Sequence, residues 1–536
     1  MKHPYYILGL AAALAVATPS FAQNDGDRND GKYNPTVSGS IQSDMLAPTG
    51  SQSDGSHEDF RTNTFVDLNV MSKYIDAGAR FEYREHQLPG YDAAFKGYGV
   101  PYVYLKAKLK NFEVTVGNFY EQFGSGFVLR TYEERSMGID NSLLGARIVT
   151  TPVKGVRLKA LTGQQRRYWA HNDSWVSGAD VELSLDSWFK GLAQSATSLT
   201  LGGSFVNKND RNDEDVFNGN YRLVMPRNVN AWDARVTLNT HGFNVLAPSR
   251  SAGPSFKNNY IYRKGTAAML SASYSKKGFS VLAQAKRSDN FFFNSYRAES
   301  LGQSKISQQP PFTMDQTYAL AALYPYGTQD GGEWAYQGQL GYKFKRKTAI
   351  GGKYGMMVKV NFSHVRGIDQ NPRSLTVNMP EPTVLTGKGT DGYGSAFWKW
   401  GKGGMYYQDL NVQIDRRFTR DFKLSLMYMN QFYNKTVIEG EGGMIHSNIF
   451  IADALFNLSP KTRLRTELQY LTTGEDEHDW LFALAELSLV PHWMFTVSDQ
   501  YNVGLTDAHY WQTFVTYNTG AHRVQLGWGR TRAYLY

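Results

Sequence analysis

Residues 75–83 read Ile-Asp-Ala-Gly-Ala-Arg-Phe-Glu-Tyr. Ile75, Ala77, Ala79, Phe81 and Tyr83 take one set of alternate positions, and Asp76, Gly78, Arg80 and Glu82 take the other. A period of two is the period of a β-strand, whose successive side chains point to opposite faces, so this segment has one apolar and one polar face. Just upstream, Val66, Leu68 and Val70 alternate with Asp67 and Asn69, and only a few residues from Met71 separate the two runs. Two alternating runs joined this tightly predict a hairpin.

The unit recurs along the chain. Val103, Leu105, Ala107 and Leu109 oppose Tyr104, Lys106 and Lys108 before a turn at Asn111 into Phe112, Val114 and Val116. Trp334 to Phe344 returns through Met356, Val358, Val360 and Phe362; Leu410, Val412 and Ile414 return through Phe422, Leu424, Leu426 and Tyr428. Leu464, Thr466, Leu468 and Tyr470 lie opposite Arg463, Arg465, Glu467 and Gln469. Further pairs fall at 144–150 and 155–163, 231–240 and 243–247, 267–275 and 279–287, 480–490 and 493–499, and 510–517 and 522–528, with a looser one at 177–184 and 197–206. With an opening strand near Val37 to Ile41, the alternation predicts about 22 to 24 strands, and 23 by direct count.

Many of these strands exceed the nine or so residues that cross a bilayer at a tilt. Their apolar faces carry Ala, Gly and Tyr rather than the dense Val, Ile and Leu of a sandwich core, whose strands average about five or six residues. The composition agrees: 34 Tyr, 30 Phe, 11 Trp and 51 Gly at a mean hydropathy of −0.45. A transmembrane barrel reconciles aromatic content with polarity, because half of each strand faces a polar lumen while aromatics ring the lipid interfaces. Trp232, Trp480, Trp493, Trp511 and Trp528 fall at strand starts or ends, where such girdles lie. The sheet has to close, since an unpaired backbone group in hydrocarbon costs several kcal/mol. The expected fold is therefore an all-β transmembrane antiparallel barrel with short periplasmic turns on one side. Long connections at 42–61, 288–331 and 366–404 would lie outside or fold inward.

Lys2 and His3, the apolar stretch from Tyr5 to Ala17 and Ser20-Phe21-Ala22 read as a secretory signal cleaved after Ala22. The chain then divides into a leader at 1–22, a short periplasmic segment at 23–35 and one barrel at 36–536, with no room for a separate N-terminal plug domain. The leader holds one Lys and no acid, so its removal takes the net charge from +9 to +8. Lys and Arg are scattered singly, which gives no footprint for nucleic acid. The absence of Cys excludes disulfides, zinc-thiolate sites and thiol catalysis. No metal or cofactor is called for, and no spacing of Ser, His and Asp suggests an enzyme.

An odd strand number leaves Tyr536 outside if the first strand runs outward. The expectation is a barrel lacking a final returning strand, or a count off by one.

The stretch GNFYEQFGSGFVLRTYEER from Gly117 to Arg135, GIDNSLLGARI from Gly138 and GQQRRYW from Gly163 resembles a family of Bacteroidota-type outer-membrane barrels without assigned activity, a domain-of-unknown-function family. The likeness runs from TVSGSIQSD at Thr36 to GWGRTRA at Gly527. It implies the fold and the compartment but no reaction. Members of the family continue past this last stretch with a Cys-containing loop and a final strand, whereas this sequence ends at Tyr534-Leu535-Tyr536.

Tyr120 to Arg135 is the densest polar and aromatic segment between strands. It contributes Tyr120, Glu121, Phe123, Arg130, Tyr132, Glu133, Glu134 and Arg135, with Asp140 just beyond. We expect it to fold into the lumen, its acids pairing with inward Arg80, Arg84, Arg147 and Arg157, because a lumen this wide is usually plugged. Gly124 and Gly126 would let the backbone press against the wall. Inward positions lean basic: Lys106, Lys108, Arg157, Lys159, Arg235, Lys343, Lys345, Lys359, Lys423, Arg463 and Arg465 against Asp67, Glu82, Glu113, Asp415 and Glu467. Lumen charge tunes selectivity, so an open pore would prefer anions. Gly474 to Asp479 matches no defined calcium loop and reads as a solvated tip, and Gly392 to Tyr407 reads as interfacial aromatics. The expected role is a channel or transport-associated barrel with a loop-occluded lumen. The alternative is a surface binding or assembly component whose barrel only anchors it. Outer-membrane lipids and lipopolysaccharide are the expected surroundings, with an envelope protein partner under the second reading.

Overall fold

The structure, a computed structural model, describes residues 6–8, 35–49, 60–195, 197–211, 216–218, 221–223, 225–240, 243–246, 249–251, 260–298, 302–372, 385–387 and 392–532. One antiparallel sheet dominates it. Its wall strands in chain order begin β1 (Thr36–Thr49), β2 (Arg61–Met71), β3 (Ile75–Arg84), β4 (Gly97–Leu109), β5 (Phe112–Phe119), β6 (Leu143–Thr150), β7 (Val156–Arg167) and β8 (Ala170–Ser184). They continue as β9 (Thr197–Asn209), β10 (Asn228–Thr240), β11 (Phe243–Leu246, resumed at Ser249–Ser251), β12 (Thr266–Lys276), β13 (Phe279–Asp289), β14 (Gly332–Phe344) and β15 (Met356–Ile368). The last are β16 (Trp400–Arg417), β17 (Phe422–Asn434), β18 (Met444–Ser459), β19 (Thr462–Thr473), β20 (Asp479–Leu489), β21 (Trp493–Val503), β22 (His509–Thr519) and β23 (His522–Gly529).

Each strand pairs with its neighbours in sequence, and every expected hairpin is present in its expected place. No helix among the described residues is long and apolar enough to cross a membrane. Several strands run longer than expected, among them β8, which begins at Ala170 rather than 177, and two boundaries move into the long connections. β1 runs on to Thr49 rather than stopping near Ile41, and β16 begins at Trp400 inside the connection expected to reach residue 404. Both extensions lie in stretches where alternation fades, Pro48 in the first and Gly401 to Gly404 in the second, so period alone could not trace them.

Register sets the two faces. In β2 and β3, Val66 stands opposite Phe81 and Leu68 opposite Ala79 on the outer face, while Asp67 faces Arg80 inside. The outer face is greasy and open: Leu68, Val103, Leu158, Leu270, Phe450 and Leu468 are all exposed, Leu468 by 63%. Fully solvated, such a belt would forfeit about 25 cal/mol for every Å² left in water. Against lipid it is the surface a membrane barrel needs, and this chain is a transmembrane β-barrel.

Inside, exposure changes along each strand. On β18, Ile445, Ser447, Ile449 and Ile451 are buried, and Asp453 and Leu455 are half open; on β19, Thr473, Leu471, Gln469 and Glu467 are buried, Arg465 is half open and Arg463 exposed. β10, β15 and β17 show the same progression. The loop-side half of the lumen is therefore filled and the turn-side half is an open vestibule. Two clusters of buried apolar side chains lie in the filled half, one centred on Phe291, Leu320, Met429 and Ile449, the other on Phe123, Leu129, Val206 and Ile306.

β1 and β23 run the same way and do not pair with each other. Tyr6–Leu8 lies antiparallel between them, Tyr6 opposite Thr49, Leu8 opposite Ala47 and Ile7 opposite both Pro48 and Gly529. Those three residues belong to the expected leader; the rest of the leader and the segment through residue 34 lie outside the described residues, as do residues 533–536.

Candidate functional site in the lumen

The connection between β5 and β6 turns into the lumen. Phe123, Val128 and Leu129 are fully buried and Phe127 almost so, which removes this stretch from any solvated external loop. Gly124 makes the approach possible: its φ is +51°, and a Cβ there would fall 2.5 Å from Nε of Arg235. Gly126, at φ +89°, lies against the Arg130 side chain.

Charges fasten this loop to the wall. Glu121 takes Lys159 Nζ at 2.9 Å and the Nε of Arg147, whose Nη1 reaches Glu113 at 2.6 Å. Asp140 pairs with Arg80 and with Arg166 Nη1 at 2.6 Å, and Arg166 Nη2 reaches Glu82 at 2.8 Å. Arg80 also holds Glu82 at 2.8 Å and Glu133 at 2.7 Å. Arg135 bridges Glu133 at 2.6 Å to Asp67 at 3.0 Å and covers the Phe65 ring. Tyr120 donates its hydroxyl to Asp140 at 3.0 Å, Arg130 lies over the Tyr132 ring, and Glu134 caps the short turn at Ser136. Burial by itself would push the Glu121 carboxyl up, but Arg147 and Lys159 outweigh it and hold the group below the usual carboxylate range. Burial, reinforced by Asp140, drives the Tyr120 phenol well above its ordinary value.

A second connection, between β13 and β14, spans the lumen. At one side Asn172 Nδ2 on β8 donates to Ser295 Oγ at 2.6 Å, and Gln165 Nε2 on β7 donates to the Lys305 carbonyl at 2.9 Å. At the other side the Leu320 amide donates to Gln469 Oε1 at 2.8 Å, Gln431 Nε2 donates to the Tyr324 carbonyl at 2.9 Å, and the Tyr324 hydroxyl donates to Asp476 at 3.0 Å. The two inward loops also meet each other, the Arg130 amide donating to the Ile306 carbonyl at 2.8 Å. Lys305 holds Asp330 at 2.6 Å; burial would lower the ammonium's pKa, yet the carboxylate beside it raises it. The third long connection, after β15, falls mostly at 373–384 and 388–391, outside the described residues.

Some expected partners differ. Arg84 takes no loop acid: it pairs with Glu82 at 2.9 Å and donates to Asn63 at 2.7 Å, because it sits at the loop end of β3 above the inward segment. Arg157 is exposed at the turn end of β7 and takes no loop acid; Lys159, two residues further along the same face, takes Glu121 instead. Lys345 lies past the end of β14, in a turn rather than on the wall. Lys343, Lys359 and Arg463 line the open vestibule, while Lys106 is 3.8 Å from Glu113, Lys108 holds Asp76 at 2.6 Å and Lys423 lies 3.4 Å from Asp415. Arg465 joins Asp453 at 3.2 Å to Glu467, and Arg235 draws in Asp233 and Asp180.

Arg166 and the buried pair Lys286–Glu333, 2.7 Å apart, were missed by sequence reasoning. A register shift between Gln164 and Arg166 breaks the alternation that would have placed Arg166 inside. Lys286 follows lumen parity from Ser280 through Gln284, a signal that was legible. The acids at 474–479 are not a bare tip, for Asp476 takes both Tyr324 and Lys435 Nζ, the latter at 2.8 Å. Among the described residues no cluster suits a metal ion.

Beneath the first loop, toward the turns, lies a cavity of about 370 Å³ walled by β2 to β6. It is lined by Tyr102, Tyr104, Thr115, Asn118 and Tyr120 together with paired charges.

No curated protein matches the chain. Among solved structures it is similar to Pseudomonas aeruginosa OccK3 (OpdO), at 9% identity over 93% of this chain and 95% of that one, with a TM-score of 0.32. Acinetobacter baumannii OccAB3 gives 10% identity over 88% and 92%, TM-score 0.33, and the P. aeruginosa outer membrane protein opdK gives 10% over 87% and 99%, TM-score 0.34. The match that covers the whole barrel is to a family profile spanning residues 2–536, and on it this chain belongs to the family of unknown function DUF6029.

Proposed function

We propose that this protein is a gated outer-membrane channel whose resting lumen is closed by its own inward loops. One observation carries the reading: the β13–β14 connection is tied to β7 and β8 on one side and to β17 and β19 on the other, so a single segment of chain crosses the lumen. A barrel that served only as an anchor has no use for an open, charged vestibule below such a crossing. The basic residues facing the vestibule, Lys343, Lys359 and Arg463 among them, would bias an opened pore toward anions. On this reading the chain is exported with a leader cleaved after Ala22, so the mature N-terminus is Gln23, checked by intact mass. It then sits among outer-membrane lipids and lipopolysaccharide, and no reaction is assigned to it.

Planar-bilayer conductance tests the proposal. The intact protein should pass little steady current, and replacing residues 312–328 by a short Gly/Ser linker should open a large conductance. A folded linker variant that stays closed defeats the channel. Stoichiometric co-purification of an envelope protein with that closed variant favours an anchored assembly component instead.

A further inference from the structure

We propose that the 370 Å³ cavity beneath the first inward loop is a binding site for a neutral saccharide. The inference deepens the channel reading by naming a class of solute for its vestibule, and it rests on that reading. The volume is within the range of roughly 300–1,000 Å³ that small-molecule sites occupy.

The lining decides the chemistry. Three tyrosines converge on the cavity: Tyr102 stacks on Tyr120 with centroids 5.2 Å apart at 18°, and meets Tyr104 edge-on at 5.9 Å and 69°. Tyr104 lies against Gly78, where a Cβ would come within 2.4 Å of its ring, so the missing side chain is what lets the ring lie against the wall. Such rings offer apolar surface with a polar edge, which matches a molecule having both C–H faces and hydroxyl groups.

The charges argue against an ion. Arg80, Arg135, Arg147 and Lys106 line the cavity, yet each already faces a carboxylate: Glu133, Asp67, Glu113 or Glu121. An anionic ligand would have to compete with these partly buried pairs for the same cations and leave a partner acid uncompensated. The groups left without partners are neutral. Thr115 Oγ1 and Asn118 Nδ2 make no hydrogen bond although their residues are 2% and 4% exposed. The Asn118 amide is held in place, for its Oδ1 accepts the Val103 amide at 3.0 Å. A buried hydroxyl and a buried amide N–H without partners are unfavourable in the free protein, and a matching ligand group that reaches them restores the missing bonds. Unpaired neutral donors beside aromatic rings suit a sugar hydroxyl array better than a carboxylate or an ammonium.

The test is titration of the detergent-solubilised full chain, followed by intrinsic fluorescence and calorimetry, with maltose, lactose and sucrose as neutral probes and glucuronate and glutamate as charged ones. At least one neutral disaccharide should bind saturably, and Thr115→Val and Tyr104→Ala should each weaken it tenfold or more. Heat-modifiable gel migration confirms that the variants are folded, and the wild-type titration stands by itself if they are not. Absence of saturable binding by all three neutral sugars overturns the site, as does equal binding of glucuronate or glutamate unaffected by Thr115→Val. Conductance without sugar binding removes this site and leaves the channel; sugar binding without conductance in the linker variant does the reverse.

Discussion

Gln431 on the barrel wall donates its side-chain amide to the main-chain carbonyl of Tyr324 at 2.9 Å, across 107 residues of sequence. This bond fastens the lumen-crossing loop at the side remote from β7 and β8, where Gln165 and Asn172 hold it. Its donor is fully buried, so no water stands ready to replace it. Gln431→Ala should therefore cost about 1–3 kcal/mol of loop anchoring. In bilayers the expected outcome is bursts of open current where the parent is quiet, with unchanged barrel melting.

The ion cluster of Arg80, Glu82, Asp140 and Arg166 predicts a different failure. Arg166 is 1% exposed and serves two acids, Glu82 and Asp140. Arg166→Met would leave both acids buried with less compensation, at about 3–5 kcal/mol. Thermal unfolding in detergent should shift down strongly. Arg463→Met, at the exposed mouth, should leave it nearly unchanged.

Acid should release the first loop. The Glu121 carboxyl is held below its unfolded value, so its pairing with Arg147 and Lys159 contributes fully above the ordinary carboxylate pKa of 4.5 and is lost as pH falls through the depressed folded value. Limited proteolysis between Gln122 and Arg130 should be slow at neutral pH and fast in strong acid. Glu121→Gln should cleave fast at both.

The outer face should tolerate no charge. Leu468, near the middle of β19, points to lipid, so Leu468→Arg should lower folding stability in bilayers by about 2–4 kcal/mol. A lumen-facing position at the turn end of the same strand gives the contrast: Arg463→Leu should be mild. A smaller penalty for Leu468→Arg than for Arg463→Leu would mean that the faces are assigned the wrong way round.

Much of this was legible because a strand repeats every two residues, so Ile75 to Tyr83 already separates wall from lumen and each hairpin repeats the test. That local rule is enough for the strand order, the tight turns and the parity of Arg80, Glu82 and Arg465. It also marked Tyr120 to Arg135 as unusual. It could not choose partners: Arg84 faces the lumen as Arg80 does yet pairs with the wall acid Glu82, and Arg157 stays open while Lys159, two residues on, takes Glu121.

Alternation along one chain dictates which face each side chain takes, since that depends only on backbone geometry, and so the barrel and its greasy exterior follow from the amino-acid order alone. Where a loop comes to rest inside depends on contacts between residues far apart, Tyr324 with Gln431 or Asp140 with Arg166, and only the curved wall of the folded sheet brings those within reach. The filled loop-side half, the open vestibule and the small cavity between them are consequences of that folding.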